Sequence, residues 1–265
     1  MQFKRHGLAA VLCCTIFLIG SAASAAIFGL DDRVQPNSAL ARVYDPVGVV
    51  QFGIRRATGV VVSPCYAITV QHVIEQRSAV VGARVLFTAG LASHSPAATG
   101  ATVVASGGLE KVVNATDAAL VRGSDWALLR LDKCLGRSLG YAVLVAGLPP
   151  APHMASAGFP GGKSPRNGPL IDPDCSITSA RPLVWLNDCA TVPGDSGGPI
   201  FQLSAATESS PAHLRMYAMQ SAGLRQKRPM PYLAGLDNLA TPTWEILGHI
   251  ATIINSDMDR GETVN

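Results

Sequence analysis

Three short stretches of this 265-residue chain carry side chains that could do covalent chemistry together. Pro193-Gly194-Asp195-Ser196-Gly197-Gly198-Pro199 sets a serine in a glycine-rich turn. A serine hydroxyl is a weak nucleophile until a base takes its proton, and the oxyanion of acyl transfer needs fixed donors. In such a turn the backbone N–H groups of Gly194 and Ser196 are placed to point into one small space beside the hydroxyl. Upstream, Ala67-Ile68-Thr69-Val70-Gln71-His72-Val73 brings a histidine to the end of an apolar run. Between the two, Ser124-Asp125-Trp126-Ala127-Leu128-Leu129-Arg130-Leu131 puts a carboxylate at the mouth of another. A buried aspartate has to be paired or hydrogen-bonded, and an imidazole N–H is a natural partner.

Taken singly, each stretch has a plainer explanation. A histidine after a strand is usually structural, and a strand-end aspartate is usually solvated. His94, His153, His213 and His249 sit in no motif. Gly194-Asp195-Ser196-Gly197-Gly198 also satisfies the G-x-S-x-G pattern of α/β-hydrolases, with Asp237 and His249 following in the required order. That fold needs a helix directly after the serine, whereas Gly197-Gly198-Pro199 leads into an apolar strand. No C-x-x-C pair and no close histidine pair is present, so neither a zinc site nor any other metal or cofactor is expected.

The elements that must position these residues read almost wholly as strand and turn. Short runs rich in Val, Ile, Leu and Thr occur at 47–54, 59–63, 65–71, 85–88, 101–105, 126–131, 154–159, 176–179, 199–203 and 216–220. Turn residues bound them at Arg55-Arg56, Ser63-Pro64 and Gly107-Gly108. One helix stands out, Thr243 to Ile254, with Trp244, Leu247, Ile250 and Ile254 at spacings of three and four. Charged residues are 15% and hydrophobic residues 48% of the chain, at net charge +3. A disordered chain is thereby excluded, since such a chain lacks the apolar surface to offset folding entropy. So is an electrostatic nucleic-acid binder, for want of a Lys/Arg cluster to neutralise phosphates.

The first residues read as an address. Lys4 and Arg5 precede an apolar run, Leu8 to Ile19, too short to span a bilayer. Ser21 to Ala25 then supply small residues, so a signal peptide over 1–25 is expected, cleaved near Ala25. The remaining 26–265 should carry no membrane span and be secreted or periplasmic. Cys13 and Cys14 leave with the signal, and Cys65, Cys134, Cys175 and Cys189 remain. An even number in an exported chain points to two disulfides, and four cysteines allow three pairings. Cys65 with Cys134 and Cys175 with Cys189 is the favoured one.

At this point the chain resembles the trypsin-like (chymotrypsin-fold) serine proteases. The stretch around Ser196 is similar to their G-D-S-G-G-P signature. Thr69 to His72 resembles T-A-A-H, with Val70 and Gln71 for the alanines, and Asp125 to Leu131 resembles D-I-A-L-L-K-L. The order His, Asp, Ser is also the family's. Ser221-Ala222-Gly223 is similar to the S-W-G edge strand. Phe28 to Arg33 and Gly158-Phe159-Pro160 resemble the bacterial branch that includes the V8-like glutamyl endopeptidases.

The resemblance implies an all-β fold of two packed antiparallel β-barrels with a C-terminal α-helix. The first barrel would cover about 26–136; the second, with the helix, about 137–265. It implies a serine endopeptidase with His72 as general base, Asp125 orienting its ring, Ser196 as nucleophile, and the N–H groups of Gly194 and Ser196 as oxyanion hole. The substrate pocket would be lined by Ala190, Thr191, Ser221, Ala222 and Gly223. Ala190 stands where trypsins have an aspartate, and Gln220 where glutamyl endopeptidases keep a histidine. A preference for small or medium uncharged side chains is therefore expected. Relatives pair the aspartate before the serine with a freed N-terminal amine, which Ile27-Phe28-Gly29 faintly resembles; an arginine is the other partner open to Asp195. The expected partners are polypeptide substrates, met by a monomer without nucleic acid or membrane. An inactive protease-fold binding protein is the alternative.

Overall fold

The computed structural model describes residues 26–74, 80–107, 125–207, 211–222 and 237–259. The signal peptide expected over 1–25 lies outside them, as does Gly223.

Six strands form the first barrel: β1 (Val47–Phe52), β2 (Arg55–Ser63), β3 (Tyr66–Thr69), β4 (Arg84–Ala89), β5 (Ala97–Gly107) and β6 (Trp126–Leu131). They close in the order β1-β2-β3-β6-β5-β4, all antiparallel. In β4 the pleat turns Val85, Phe87 and Ala89 inward and Arg84 and Leu86 outward, as period-two alternation requires. The β1–β2 turn is Gly53-Ile54, since Phe52 pairs with Arg55. The sequence suggested Arg55-Arg56 instead. Gly53 sits at φ 58, which a hairpin turn of this length favours and an arginine would resist.

Short helix α1 (Gly136–Leu139) and strand β7 (Val143–Leu144) lead to the second barrel. Its strands are β8 (His153–Gly158), β9 (Leu170–Ala180), β10 (Trp185–Asn187), β11 (Pro199–Leu203), β12 (Leu214–Ala222) and β13 (Asn238–Pro242). They run β11-β8-β9-β10-β13-β12, and β11–β12 pairing closes the ring. β7 lies parallel on β12 outside it. The fold is thus two closed six-stranded antiparallel barrels. β10 and β13 went unread in the sequence. Both are short, and both contain a buried asparagine that pattern reasoning takes for a loop. Asn187 and Asn238 belong to a buried amide network: Gln220 Nε2 donates to Asn187 Oδ1 at 3.0 Å, and Asn187 Nδ2 to the Asn238 carbonyl at 3.2 Å. Buried amides are tolerated when they satisfy one another in this way.

Helix α2 (Thr243–Asp259) follows β13 without a loop. Thr243 Oγ1 donates to the carbonyls of Val145 and Tyr217, at 2.5 and 2.8 Å. The fully buried apolar positions of α2 are Ile246 and Ile250, so the apolar face is centred beside Leu247, which is half-buried. Trp244 packs edge-on against Trp185 at 5.0 Å. Further along, Asp257 accepts from the Tyr66 hydroxyl, returning the helix to the first barrel. Of the three cysteine pairings, the structure forms Cys65–Cys134 and Cys175–Cys189.

One segment runs against chain order. Residues 26–34 precede the first barrel in the chain, yet hydrogen-bond to the second. Ala26 donates to Asn238 Oδ1 at 3.0 Å and accepts from Asn238 Nδ2 and the Thr191 N–H. Val34 makes an antiparallel bridge to Ile171 in β9.

Candidate active site

Each of the three motif side chains lies at the end of a strand or in a turn where the barrels meet. His72 follows β3, three residues after Thr69. Asp125 immediately precedes β6, which pairs antiparallel with β3, so register alone brings the two together. The His72 N–H donates to Asp125 Oδ1 at 3.0 Å, and Nδ1 lies 2.5 Å from Oδ2. Oδ2 also accepts from Ser221 Oγ at 3.1 Å. Asp125 is 3% exposed at its side chain, and these donors are what make burial of the carboxylate tolerable. With Nδ1 facing a carboxylate, Nδ1 carries the proton and Nε2 is the acceptor. Nε2 is buried and has no hydrogen-bond partner among the described residues. Ser196 Oγ is therefore not hydrogen-bonded to it in this structure.

Ser196 is placed from both barrels. Its carbonyl accepts from the Thr58 N–H of β2 at 2.8 Å. Thr58 Oγ1 donates to the Gly194 carbonyl at 2.9 Å, and Thr69 Oγ1 to the Thr58 carbonyl at 2.7 Å. From the second barrel, the Gly197 N–H donates to the Gln220 carbonyl at 2.7 Å, next to the Ser221 that binds Asp125. Thr58 is a positioning residue that sequence reasoning missed, because nothing local distinguishes a threonine in a valine-rich strand.

Two peptide planes of the serine turn are locked through their carbonyls. The Pro193 carbonyl accepts from Gly161 N–H at 2.6 Å, and that of Asp195 from Gly198 N–H at 2.8 Å. Among the described residues all peptide bonds are trans, so each N–H points opposite to its carbonyl. The N–H groups of Gly194 and Ser196 are thereby turned away from those partners. Neither donates to an acceptor among the described residues. Gly194 adopts φ 107, and a Cβ there would lie 2.5 Å from the Gly161 nitrogen, so only glycine fits.

The expected pocket residues divide. Ser221 gives its hydroxyl to Asp125 rather than to a pocket wall. Ala190 is tied to β9, its N–H donating to Asp172 Oδ2 at 2.6 Å, and Thr191 is tied to Ala26. Ala222 is buried at the end of β12. The side chain of Gln220 turns into the amide network with Asn187. His249 stacks on Trp126 at 5.6 Å and Asp237 accepts from Thr178, each engaged away from the serine turn.

Two buried carboxyls around this region are shifted far upward. Burial pushes Asp195 up to about 7, with Arg33 and the Val192 N–H pulling the other way. Burial pushes Asp172 up to about 6, against the N–H groups of Ala190 and Asp174. An aspartate in an unfolded chain titrates near ~3.9. Between those two values the folded chain keeps a proton that the unfolded chain has released. Stability from Asp172 therefore falls as pH rises from about 4 to about 6, and stays lower above that. Asp172→Asn keeps an acceptor for Ala190 and removes the buried charge. Its Tm should exceed that of the wild type at pH 8, and the gap should close by pH 4. Thermal scans at both pH values check this, and a gap independent of pH would assign the effect to something other than titration.

No family model matches the sequence, and no curated protein matches it. Solved structures do match the fold. A Glu endopeptidase in complex with MPD superposes with TM-score 0.62 at 17% identity, covering 87% of this chain and 100% of that one. Neuropsin, a serine protease expressed in the limbic system of mouse brain, superposes with TM-score 0.55 at 16% identity, covering 86% and 99%. The chain has the chymotrypsin fold. His72 and Asp125 flank β3 and β6 of the first barrel, and Ser196 lies in the turn before β11 of the second.

Proposed function

We propose that the protein is an exported serine endopeptidase that hydrolyses peptide bonds through Ser196, His72 and Asp125. The observation that carries this reading is the short Asp125–His72 contact. It leaves Nε2 without a partner among the described residues, at the junction where Thr58 and Gln220 hold the serine turn.

In this reading Ser196 Oγ attacks the substrate carbonyl carbon while its proton passes to His72 Nε2. Asp125 stabilises the imidazolium so formed, keeping Nδ1–H in place and not itself taking the proton. The carbonyl oxygen, now an oxyanion, is met by the N–H groups of Gly194 and Ser196, donors that need no reorganisation. The imidazolium then protonates the departing amine, the C–N bond breaks, and an ester to Ser196 remains. Water deprotonated by Nε2 attacks that ester, releasing the acid and restoring the hydroxyl. No step calls for a metal or cofactor.

Substrates are polypeptides. Gln220 has its amide engaged with Asn187, and Ala190 brings no charge, so a small or medium uncharged residue precedes the cut. Export is supported by the two disulfides, which persist in oxidising compartments. Among the described residues no helix is long and apolar enough to cross a membrane.

A fluorophosphonate probe tests the reading. Such probes phosphonylate a serine only when a base activates it, so the wild type should be labelled stoichiometrically and Ser196→Ala not at all. An unlabelled, folded wild type would instead make the chain a binding protein on a protease fold.

A further inference from the structure

The serine turn is held from two sides, and one peptide plane fixes how those sides are arranged. The Ser196 carbonyl accepts from the Thr58 N–H at 2.8 Å, and the Gly197 N–H, on the same peptide bond, donates to the Gln220 carbonyl at 2.7 Å. That bond is trans, so its C=O and N–H point in opposite directions. β2 and β12 therefore lie on opposite flanks of Ser196. In the endopeptidase reading the end of β12 borders the pocket for the residue before the cut. A polypeptide seated there passes out, beyond the cut, along the β2 flank.

The pairing of β2 with β1 runs unbroken from Val60 to Arg55, so side chains alternate strictly over this stretch. Thr58 faces the serine turn, its Oγ1 donating to the Gly194 carbonyl and accepting the Phe159 N–H, both at 2.9 Å. Gly59 faces the barrel interior, where a Cβ would lie 2.7 Å from Val50 and 3.2 Å from Phe87. Arg56 thus shares the face of Thr58, one pleat repeat of about 7 Å along the strand. It is exposed, and its guanidinium makes no hydrogen bond or ion pair among the described residues. Its cross-strand neighbours offer no carboxylate. Gln51 stands opposite it in β1, with its amide donating to the Gly53 carbonyl, and Leu86 of β4 lies beyond. Arg84, on the outer face of β4, is by contrast paired with Asp132.

We propose that Arg56 determines specificity on the departing side of the cut, pairing with an aspartate or glutamate among the first three residues after the scissile bond. The inference rests on the endopeptidase reading and extends it, since Ala190 and Gln220 bear only on the residue before the cut. A carboxylate carried past Thr58 meets a guanidinium that can hold it through two parallel N–H donors. The substrate class is a polypeptide with an uncharged residue before the cut and an acid shortly after it.

The experiment measures kcat/KM for fluorogenic peptides with Asp, Asn or Lys at each of the three positions after the cut. The enzymes are the wild type, Arg56→Ala and Arg56→Glu, with folding established by thermal melting. At one of these positions the wild type should favour Asp over Asn about fivefold, the upper end for an exposed ion pair. The ratio should shrink toward one between ~20 mM and ~1 M salt. Arg56→Ala should bring it to about one at low salt, and Arg56→Glu should favour Lys over Asn. An Asp preference kept by Arg56→Ala would overturn the proposal, as would a wild type indifferent to charge at all three positions. Should a variant not fold, the salt series on the wild type decides: a preference that survives ~1 M salt is not an ion pair and overturns the proposal. Fluorophosphonate labelling separates the two levels. An unlabelled wild type removes the endopeptidase reading, whereas a labelled wild type without the charge preference removes only the role of Arg56.

Discussion

Asp125→Asn should lower kcat/KM about 10⁴-fold, and His72→Ala by as much or more, to roughly 10⁶-fold. Both oxygens of Asp125 accept hydrogen bonds: Oδ1 from the His72 backbone, Oδ2 from His72 Nδ1 and Ser221 Oγ. An asparagine has one acceptor and one donor to put in those places. With the amide nitrogen facing the ring, Nδ1 must be unprotonated, the proton moves to Nε2, and the base has no lone pair for the serine. With the amide reversed, its nitrogen faces the backbone N–H, and a buried donor pair is left unsatisfied. No orientation suits the site, so the variant loses rate in one and stability in the other. Steady-state hydrolysis of a peptide ester by the purified variants checks this. Activity within tenfold of the wild type in a folded Asp125→Asn would remove Asp125 from the reaction.

Gly197→Ala should cost roughly 2–5 kcal/mol in stability and abolish fluorophosphonate labelling. Gly197 adopts φ 89, where an alanine is strained by about 1–2 kcal/mol. Its Cβ would lie 2.0 Å from the Thr58 carbonyl oxygen and 2.7 Å from Thr69 Oγ1. Overpacking adds typically ~1–3 kcal/mol. Thr58 does not move freely, because its N–H holds the Ser196 carbonyl and its carbonyl holds Thr69. The strain therefore falls on the turn that carries Ser196. Gly248, in α2, is the control, since a Cβ there meets nothing within 4 Å. Gly248→Ala should keep full labelling and melt slightly higher, by helix propensity alone. Differential scanning of both variants, with labelling in parallel, decides the point. Wild-type melting in Gly197→Ala would mean that the barrel junction is looser than these distances imply.

The motif residues were legible because each sits in a short local pattern. A glycine-rich turn, a strand ending in histidine and a strand starting after aspartate are all readable over seven or eight positions. β6 was read to the residue, since six consecutive positions with one polar member allow little else. The helix was read too, although its face was misplaced by one position because Ile246 and Leu247 compete for the same pattern. β10 escaped notice because its asparagine is satisfied by residues 33 and 51 positions away, and that of β13 by Cys189, 49 positions away, and Ala26, 212 positions away.

Arg33 shows the boundary most plainly. The residue types in the chain imply that Asp195 needs a positive partner, since burying a carboxylate uncompensated is prohibitively costly. They do not say which one, among an amine and many arginines. That choice is made when β9 takes Val34 as a bridging neighbour and delivers the guanidinium 162 positions along the chain. Local chemistry is written in runs of neighbouring residues, and so are the strand and turn preferences that follow from it. Pairing between distant groups depends on which surfaces the closed barrels leave facing each other, and no window of sequence contains that geometry.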